Sequence, residues 1–257
     1  MNKFLHAIKA EWITGQRTFL RYSPLLFAIL PLSLSIPAEL FLINMNHASF
    51  VENIVSQHIS INIGIWIAMV LPIYCILISL RNFYPEHAQS LWKHINVQPI
   101  SGSVQILAKY FYSWCYVAIA TIMFFALVVL GLFIIKYTYL NLNIQFNNSI
   151  LWWVYCKTGV ICLVTGVSIV SILNLLSARF PGFTITFIIG FMGMFMPSFT
   201  IIPTFIPWKI GEAYHQYYWT KNRSNIIPEP WWIIVLFVWI AASLAIQLAV
   251  QRKKPLH

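Results

Sequence analysis

The sequence predicts an all-α integral membrane protein with six transmembrane helices and both termini in the cytoplasm. Three observations carry this. Six apolar stretches, each about long enough to cross a bilayer, divide the 257 residues. Sixty percent of residues are hydrophobic and nine percent charged, far from the usage of a soluble domain. The connections between the stretches alternate between Lys/Arg-rich and Lys/Arg-poor, which sets an orientation under the positive-inside rule.

The predicted crossings lie near residues 23–43, 61–80, 111–135, 150–176, 183–202 and 231–250, within a single transmembrane domain covering 1–257. Lys3, Lys9, Arg17 and Arg21 precede the first, within a lead-in covering 1–22. Residues 81–110 hold Arg81, Lys93 and Lys109; Arg179 follows the fourth crossing; and the tail carries Arg252, Lys253 and Lys254. The opposite connections hold Lys136, none in 44–60, and Lys209, Lys221 and Arg223 in 203–230. Eleven cations therefore sit on one side and four on the other, which makes the richer side cytoplasmic. The net charge of +10 is assigned to contact with anionic lipid, with no nucleic-acid partner. The first crossing is too long for a cleavable signal, and no small-residue cleavage site follows it. Cys75, Cys115, Cys156 and Cys162 all fall within crossings and read as small packing residues.

Absences narrow the chemistry. The chain has no aspartate, which excludes Asp-based metal sites and aspartyl dyads, and no Gly-x-x-x-x-Gly-Lys-Ser/Thr loop to cradle phosphates. No pair among His6, His47, His58, His87, His94, His215 and His257 forms His-Glu-x-x-His, and all seven are placed outside the crossings. His87 and His94 share a helix face seven residues apart and read as surface positions. No catalytic residue and no metal site is assigned.

Two ionisable residues are placed at membrane depth, where such groups are expensive and mark function. Glu39 lies about one turn from the outer end of the first crossing, and Lys157 about two turns from the outer end of the fourth. Two readings stand for them. Both snorkel to the outer interface, or they pair or line an outward-facing cavity. A relay of ions or protons needs several deep acids, and this sequence supplies almost none, which disfavours an ion-coupled secondary transporter.

Three connecting segments carry further signals. Phe4, Ile8 and Trp12 recur at spacing four beside Leu5, with Lys3, His6, Lys9 and Arg17 at polar positions. That pattern fits an amphipathic helix in the cytoplasmic interface, and equally a basic flank that sets topology. In 81–110, Pro85 suits a first helical position and Glu86 a first turn. His87, Leu91 and Ile95 then recur at spacing four with Trp92 and Lys93 between them, until Pro99 stops the helix. Ser103–Lys109 reads as the run-in to the third crossing. In 203–230, Phe205, Trp208, Tyr214, Tyr217, Tyr218 and Trp219 lie between Pro203, Pro207, Pro228 and Pro230. This segment is predicted to dip into the outer interface as short helices, as a gate or substrate contact or as a plain aromatic belt. Trp152-Trp153 and Trp231-Trp232 mark outer starts of crossings in the same way.

In these features the chain resembles the membrane subunit of a type-2 ABC transporter of the exporter class. The resemblance covers the whole chain: six crossings, termini inside, a basic amphipathic lead-in, a helical loop after the second crossing and an aromatic-Pro loop before the sixth. Its most specific part is Glu86, Leu91-Trp92, Pro99, Ser101 and Ala108-Lys109. Ile13-Thr14-Gly15-Gln16 departs from the Lys/Arg-rich string the family carries after Trp12. The resemblance implies that 81–110 holds a coupling helix, with Glu86, His87, Leu91, Trp92, Lys93 and Ile95 seated against a cytoplasmic ATP-binding subunit. ATP and Mg would be bound by that partner, with no cofactor in this chain and no enzymatic activity of its own. It further implies a second permease, identical or related, in the cell membrane, with membrane lipid as surroundings.

Short length and an Ile/Asn/Phe/Tyr-rich composition are similar to permeases of bacterial lantibiotic immunity transporters. That implies export of a lantibiotic or similar amphipathic peptide from the membrane. Export of a drug or lipid-like molecule is the alternative, and an ion-coupled transporter the other. Small residues Gly159, Cys162 and Gly166 are expected to form a face for close helix approach. Glu39, Lys157, Trp208, Tyr214, Tyr217, Tyr218 and Trp219 are the expected substrate-path or gating residues.

Overall fold

A computed structural model describes residues 2–16, 21–44, 54–88, 101–138, 149–180, 183–195, 205–219 and 231–252, and every regular element among them is helical. In chain order these are α1 (Asn2–Gln16), α2 (Ser23–Asn44), α3 (Ile54–Ile65), a π-helical turn (Trp66–Val70), α4 (Leu71–Ala88), α5 (Gly102–Thr138), α6 (Ser149–Arg179), α7 (Phe183–Phe195), α8 (Pro207–Trp219) and α9 (Trp231–Arg252). Among the described residues, five stretches are long and apolar enough to cross a membrane: Ser23–Ile43, Ile54–Phe83, Gly102–Thr138, Leu151–Arg179 and Trp231–Val250.

The second of these runs from α3 through the π turn into α4. It starts seven residues before the expected crossing at 61–80, because Ser56, Gln57, His58, Ser60 and Asn62 lower the apolarity of a segment that is nonetheless helical. His58, expected outside the crossings, therefore lies inside one and is fully buried. The helix also continues past the expected end: Pro85, Glu86 and His87 form the last turn of α4 rather than opening a separate helix. Of the expected docking residues, Leu91, Trp92, Lys93 and Ile95 lie outside the described residues, as do the side chains of Glu86 and His87.

Of the expected fifth crossing at 183–202, the described part is the 13-residue apolar helix α7, Phe183–Phe195, and the remaining positions lie outside the described residues. The segment expected as an outer loop with short helices carries one described helix. Its helix α8 opens on Pro207, a residue suited to a first helical position because it has no N–H to leave unbonded. α8 is packed inside the bundle: Trp208, Ile210 and Tyr214 are buried, and a Cβ on Gly211 would stand 3.1 Å from Thr165 and 3.2 Å from Ile67. Thr165 lies fourteen residues into the apolar stretch that starts at Leu151, about 21 Å of helix. α8 thus begins deep and runs antiparallel to α6 toward the predicted outer end.

Apolar burial drives helix association little in lipid, so close packing and hydrogen bonds hold such a bundle. The centre is made by α3, the π turn, α4, α5 and α6. Trp66 of the π turn stacks on Phe124 of α5, ring centroids 4.4 Å apart at an interplanar angle of 4°. The small face at Gly159, Cys162 and Gly166 is used within the chain. Gly159 lies under the Phe125 ring, and Gly166 admits Val117 and Leu71. Cys75 and Cys162 are buried free thiols that fill space in the same core. α1 lies along the start of α5, with Trp12 against Tyr112 and Tyr116 and Phe4 against Phe111.

Candidate functional site

Glu39 and Lys157, weighed together on the sequence as a pair or as snorkelling groups, are separated by the fold. Glu39 is fully buried and its Oε2 stands 2.6 Å from Nδ1 of His58, one proton occupying the gap. The other ring nitrogen, Nε2, lies 3.1 Å from the Val128 carbonyl. A carbonyl only accepts, so Nε2 carries a proton and donates it. The pair thereby joins α2, α3 and α5. Asn62, one turn beyond His58, donates from Nδ2 to the His58 carbonyl at 2.9 Å, and Ser35 Oγ donates to Asn62 Oδ1 at 2.9 Å. Ser35 and Glu39, and His58 and Asn62, are each four residues apart on one helix face, which is why two facing helices form a four-member polar cluster. Glu39 Oε1 is buried without a hydrogen-bond partner among the described residues.

This cluster backs a groove open to the apolar surface. A cavity of about 340 Å³ runs between α2 and α5, lined by Ile29, Leu32, Ser33, Ile36, Pro37, Leu127, Leu130, Gly131 and Ile134. At Gly131 the groove adjoins the cluster: a Cβ there would meet Leu32 Cδ2 at 2.8 Å and His58 Nε2 at 2.9 Å. Ser33, the polar lining residue, already donates to the Leu30 carbonyl at 2.8 Å.

The aromatic residues expected to gate a path are brought together on and around α8. Lys157 Nζ donates to the Tyr218 hydroxyl at 2.8 Å and lies 5.2 Å from its ring centroid. Trp219 Nε1 donates to Thr158 Oγ1 at 3.1 Å, and its carbonyl accepts from Ser60 Oγ at 3.3 Å. His215 Nε2 donates to the Ser60 carbonyl at 2.8 Å. Tyr214 packs edge-on against Trp232 of α9 and lies nearly parallel to Tyr218. Tyr217 sits perpendicular to Tyr218 and is half-buried. Trp208 is buried at the deep end of α8, where a Cβ on Gly193 of α7 would lie 2.5 Å from its ring. α8 is therefore held by α3, α6, α7 and α9, and hydrogen bonds join its last turns to α3 and α6.

Sequence reasoning missed His58, Asn62, Ser35 and Ser60. The signal was present as His58 and Asn62 at spacing four, but starting the second crossing at Ile61 hid it. The π turn left no sequence signal that we identify.

The sequence profile of the family described as "ABC-2 family transporter protein" matches residues 9–193. The chain belongs to the ABC-2 transporter family. Among curated proteins none matches the chain. As an ABC-2 permease subunit it is a transport component that works with an ATP-binding subunit, and the matched region takes in α1 to α7, including the Glu39–His58 cluster, the groove and the connection between α4 and α5.

Proposed function

We propose that this ABC-2 permease exports an amphipathic or hydrophobic substrate taken from the membrane, a lantibiotic or similar antimicrobial peptide, in a self-immunity transporter of a bacterial cell membrane. The observation that carries this reading is the aromatic α8, buried in the bundle and hydrogen-bonded near the predicted outer end, where an amphipathic molecule leaving the bilayer meets indole and phenol edges beside the Lys157 ammonium. Bundle depth offers few charges to hold a polar solute, and the α2–α5 groove adds an aliphatic surface on the lipid side. Both termini face the cytoplasm in this reading, with α1 on the inner side and the start of α6 outside.

ATP and Mg bind a separate cytoplasmic subunit, whose closure is transmitted through residues 84–98, with Glu86, His87, Leu91, Trp92, Lys93 and Ile95 as the docking face. A second permease, identical or related, completes the path. Glu39, Lys157, Trp208, Tyr214, Tyr217, Tyr218 and Trp219 contact or gate the substrate. The test has two arms. Co-purification with the ATP-binding subunit is lost, with its stimulated ATP hydrolysis, in the Glu86→Ala/Trp92→Ala variant; intact association would refute the docking assignment. Co-expression of the complete transporter in a lantibiotic-sensitive bacterium raises the inhibitory concentration of the peptide. Unchanged sensitivity, with resistance to a lipophilic drug gained instead, would replace the peptide substrate by a drug.

A further inference from the structure

The role of α1 is undecided by its sequence, and the structure gives it one contact that ordinary packing does not need. Lys109, on the first turns of α5, is buried, at 7 % exposure. Its Nζ stands 2.9 Å from Glu11 Oε1 of α1 and donates to the Asn82 carbonyl of α4 at 3.0 Å, with the Phe83 ring centroid 5.6 Å away. Asn82 and Lys109 are 27 positions apart, and the segment between them contains the whole of 84–98. Lys109 thus ties the part of α4 that precedes those residues to the start of α5, and ties both to α1. Asn82 is held in turn: its Nδ2 donates to Ser113 Oγ at 2.6 Å, and Asn174 Nδ2 of α6 donates to the same oxygen at 2.9 Å.

Buried ion pairs add little net stability compared with well-packed apolar groups, and their best-attested use is to fix register. Here α1 already has an apolar seat, through Trp12 on Tyr112 and Tyr116 and Phe4 on Phe111. The pair is not needed to keep α1 attached. It is suited to making α1, the end of α4 and the start of α5 move as one body.

We propose that Lys109 is a positioning residue for energy coupling: through Glu11 and the Asn82 carbonyl it makes α1 follow any displacement of residues 84–98. The inference rests on the proposed docking of those residues to an ATP-binding subunit. It predicts that severing the clamp separates nucleotide-driven movement of α1 from binding of the subunit.

The test uses the full chain in complex with the ATP-binding subunit in liposomes, with Cys115 and Cys156 replaced by Ser. Spin labels are placed at Leu5→Cys on α1 and Val160→Cys on α6, both exposed positions. The distance between them is read by pulsed electron paramagnetic resonance, with and without ATP plus vanadate. The unsubstituted clamp shows a nucleotide-driven shift in this distance. Lys109→Met keeps the subunit bound but loses the shift, and Lys109→Arg retains it because a guanidinium still donates to both Glu11 and the Asn82 carbonyl. Should Lys109→Met fail to fold, Glu11→Leu gives the same reading, since it leaves Lys109 and its Asn82 bond in place while removing the acceptor on α1. A wild-type shift in Lys109→Met or Glu11→Leu, with the subunit bound, overturns this inference alone. Failure of the unsubstituted chain to bind the subunit overturns the docking proposal and this inference with it.

Discussion

Glu39→Ala, His58→Ala and the double substitution form a cycle that measures what the buried pair contributes. The contact is 2.6 Å long between side chains that are almost wholly shielded. Removing one partner of such a pair leaves the other uncompensated, at about 3–5 kcal/mol for a buried ionic group and about 1–3 kcal/mol for a neutral one. Three features place each single substitution near 3 kcal/mol. His58 keeps its bond to the Val128 carbonyl, and the Asn62 amide already lies 3.4 Å from Nδ1. Glu39, by contrast, has no second partner for Oε1 among the described residues, so His58→Ala strands the whole carboxyl group. The double substitution removes both groups together and costs less than the sum of the singles, giving a coupling of about 2 kcal/mol. Reversible unfolding of the purified chain in mixed micelles supplies the four values. Additivity within ~0.5 kcal/mol would show that the two side chains do not depend on each other, and the account of the cluster would be wrong.

Gly131→Ala pushes a methyl group into Leu32 and His58 at under 3 Å, and is expected to cost about 1–2 kcal/mol in the same unfolding measurement. Gly190→Ala should cost more, about 2–3 kcal/mol, because its Cβ would lie 2.4 Å from Ile76 Cγ1, an atom near the backbone that cannot swing away. Thr165→Val goes the other way: Thr165 is buried with its hydroxyl unpartnered among the described residues, so an isosteric apolar replacement is neutral or stabilising by up to about 1 kcal/mol. Lys157→Met, at an exposed position, leaves the unfolding free energy within ~0.5 kcal/mol of wild type, while lowering lantibiotic protection in cells; unchanged protection would remove Lys157 from the substrate path.

The legibility of each element follows from how its physics is written along the chain. Crossings such as 111–135 and 231–250 are uniform apolar runs, and hydropathy finds them because lipid demands apolarity at every exposed position. The α3 segment defeats the same reasoning: Ser56, Gln57, His58, Ser60 and Asn62 spend their polarity on neighbours such as Glu39, Ser35 and the Trp219 carbonyl, which no local window contains. In 203–230 the aromatic content was visible along the chain, but the neighbours that bury Trp208 and Tyr214 were not. Gly193 and Gly211 create the hollows that receive Trp208 and bring α8 against Thr165 and Ile67, and a hollow exists only between helices. Glu39 was recognised as costly, while its partner was sought at Lys157, another ion visible in the sequence, rather than at a histidine discounted as loop.

The sequence by itself determined the solvent: composition and the spacing of apolar runs require helices in lipid, since each residue's transfer from water is a local property that sums along the chain. Only the tertiary structure decided which polar groups meet. Glu39 with His58, Lys109 with Glu11 and Asn82, and Lys157 with Tyr218 are separated by 19 to 98 positions. Such partnerships depend on helix rotation and depth, which are set by packing against neighbours and are written in no single segment.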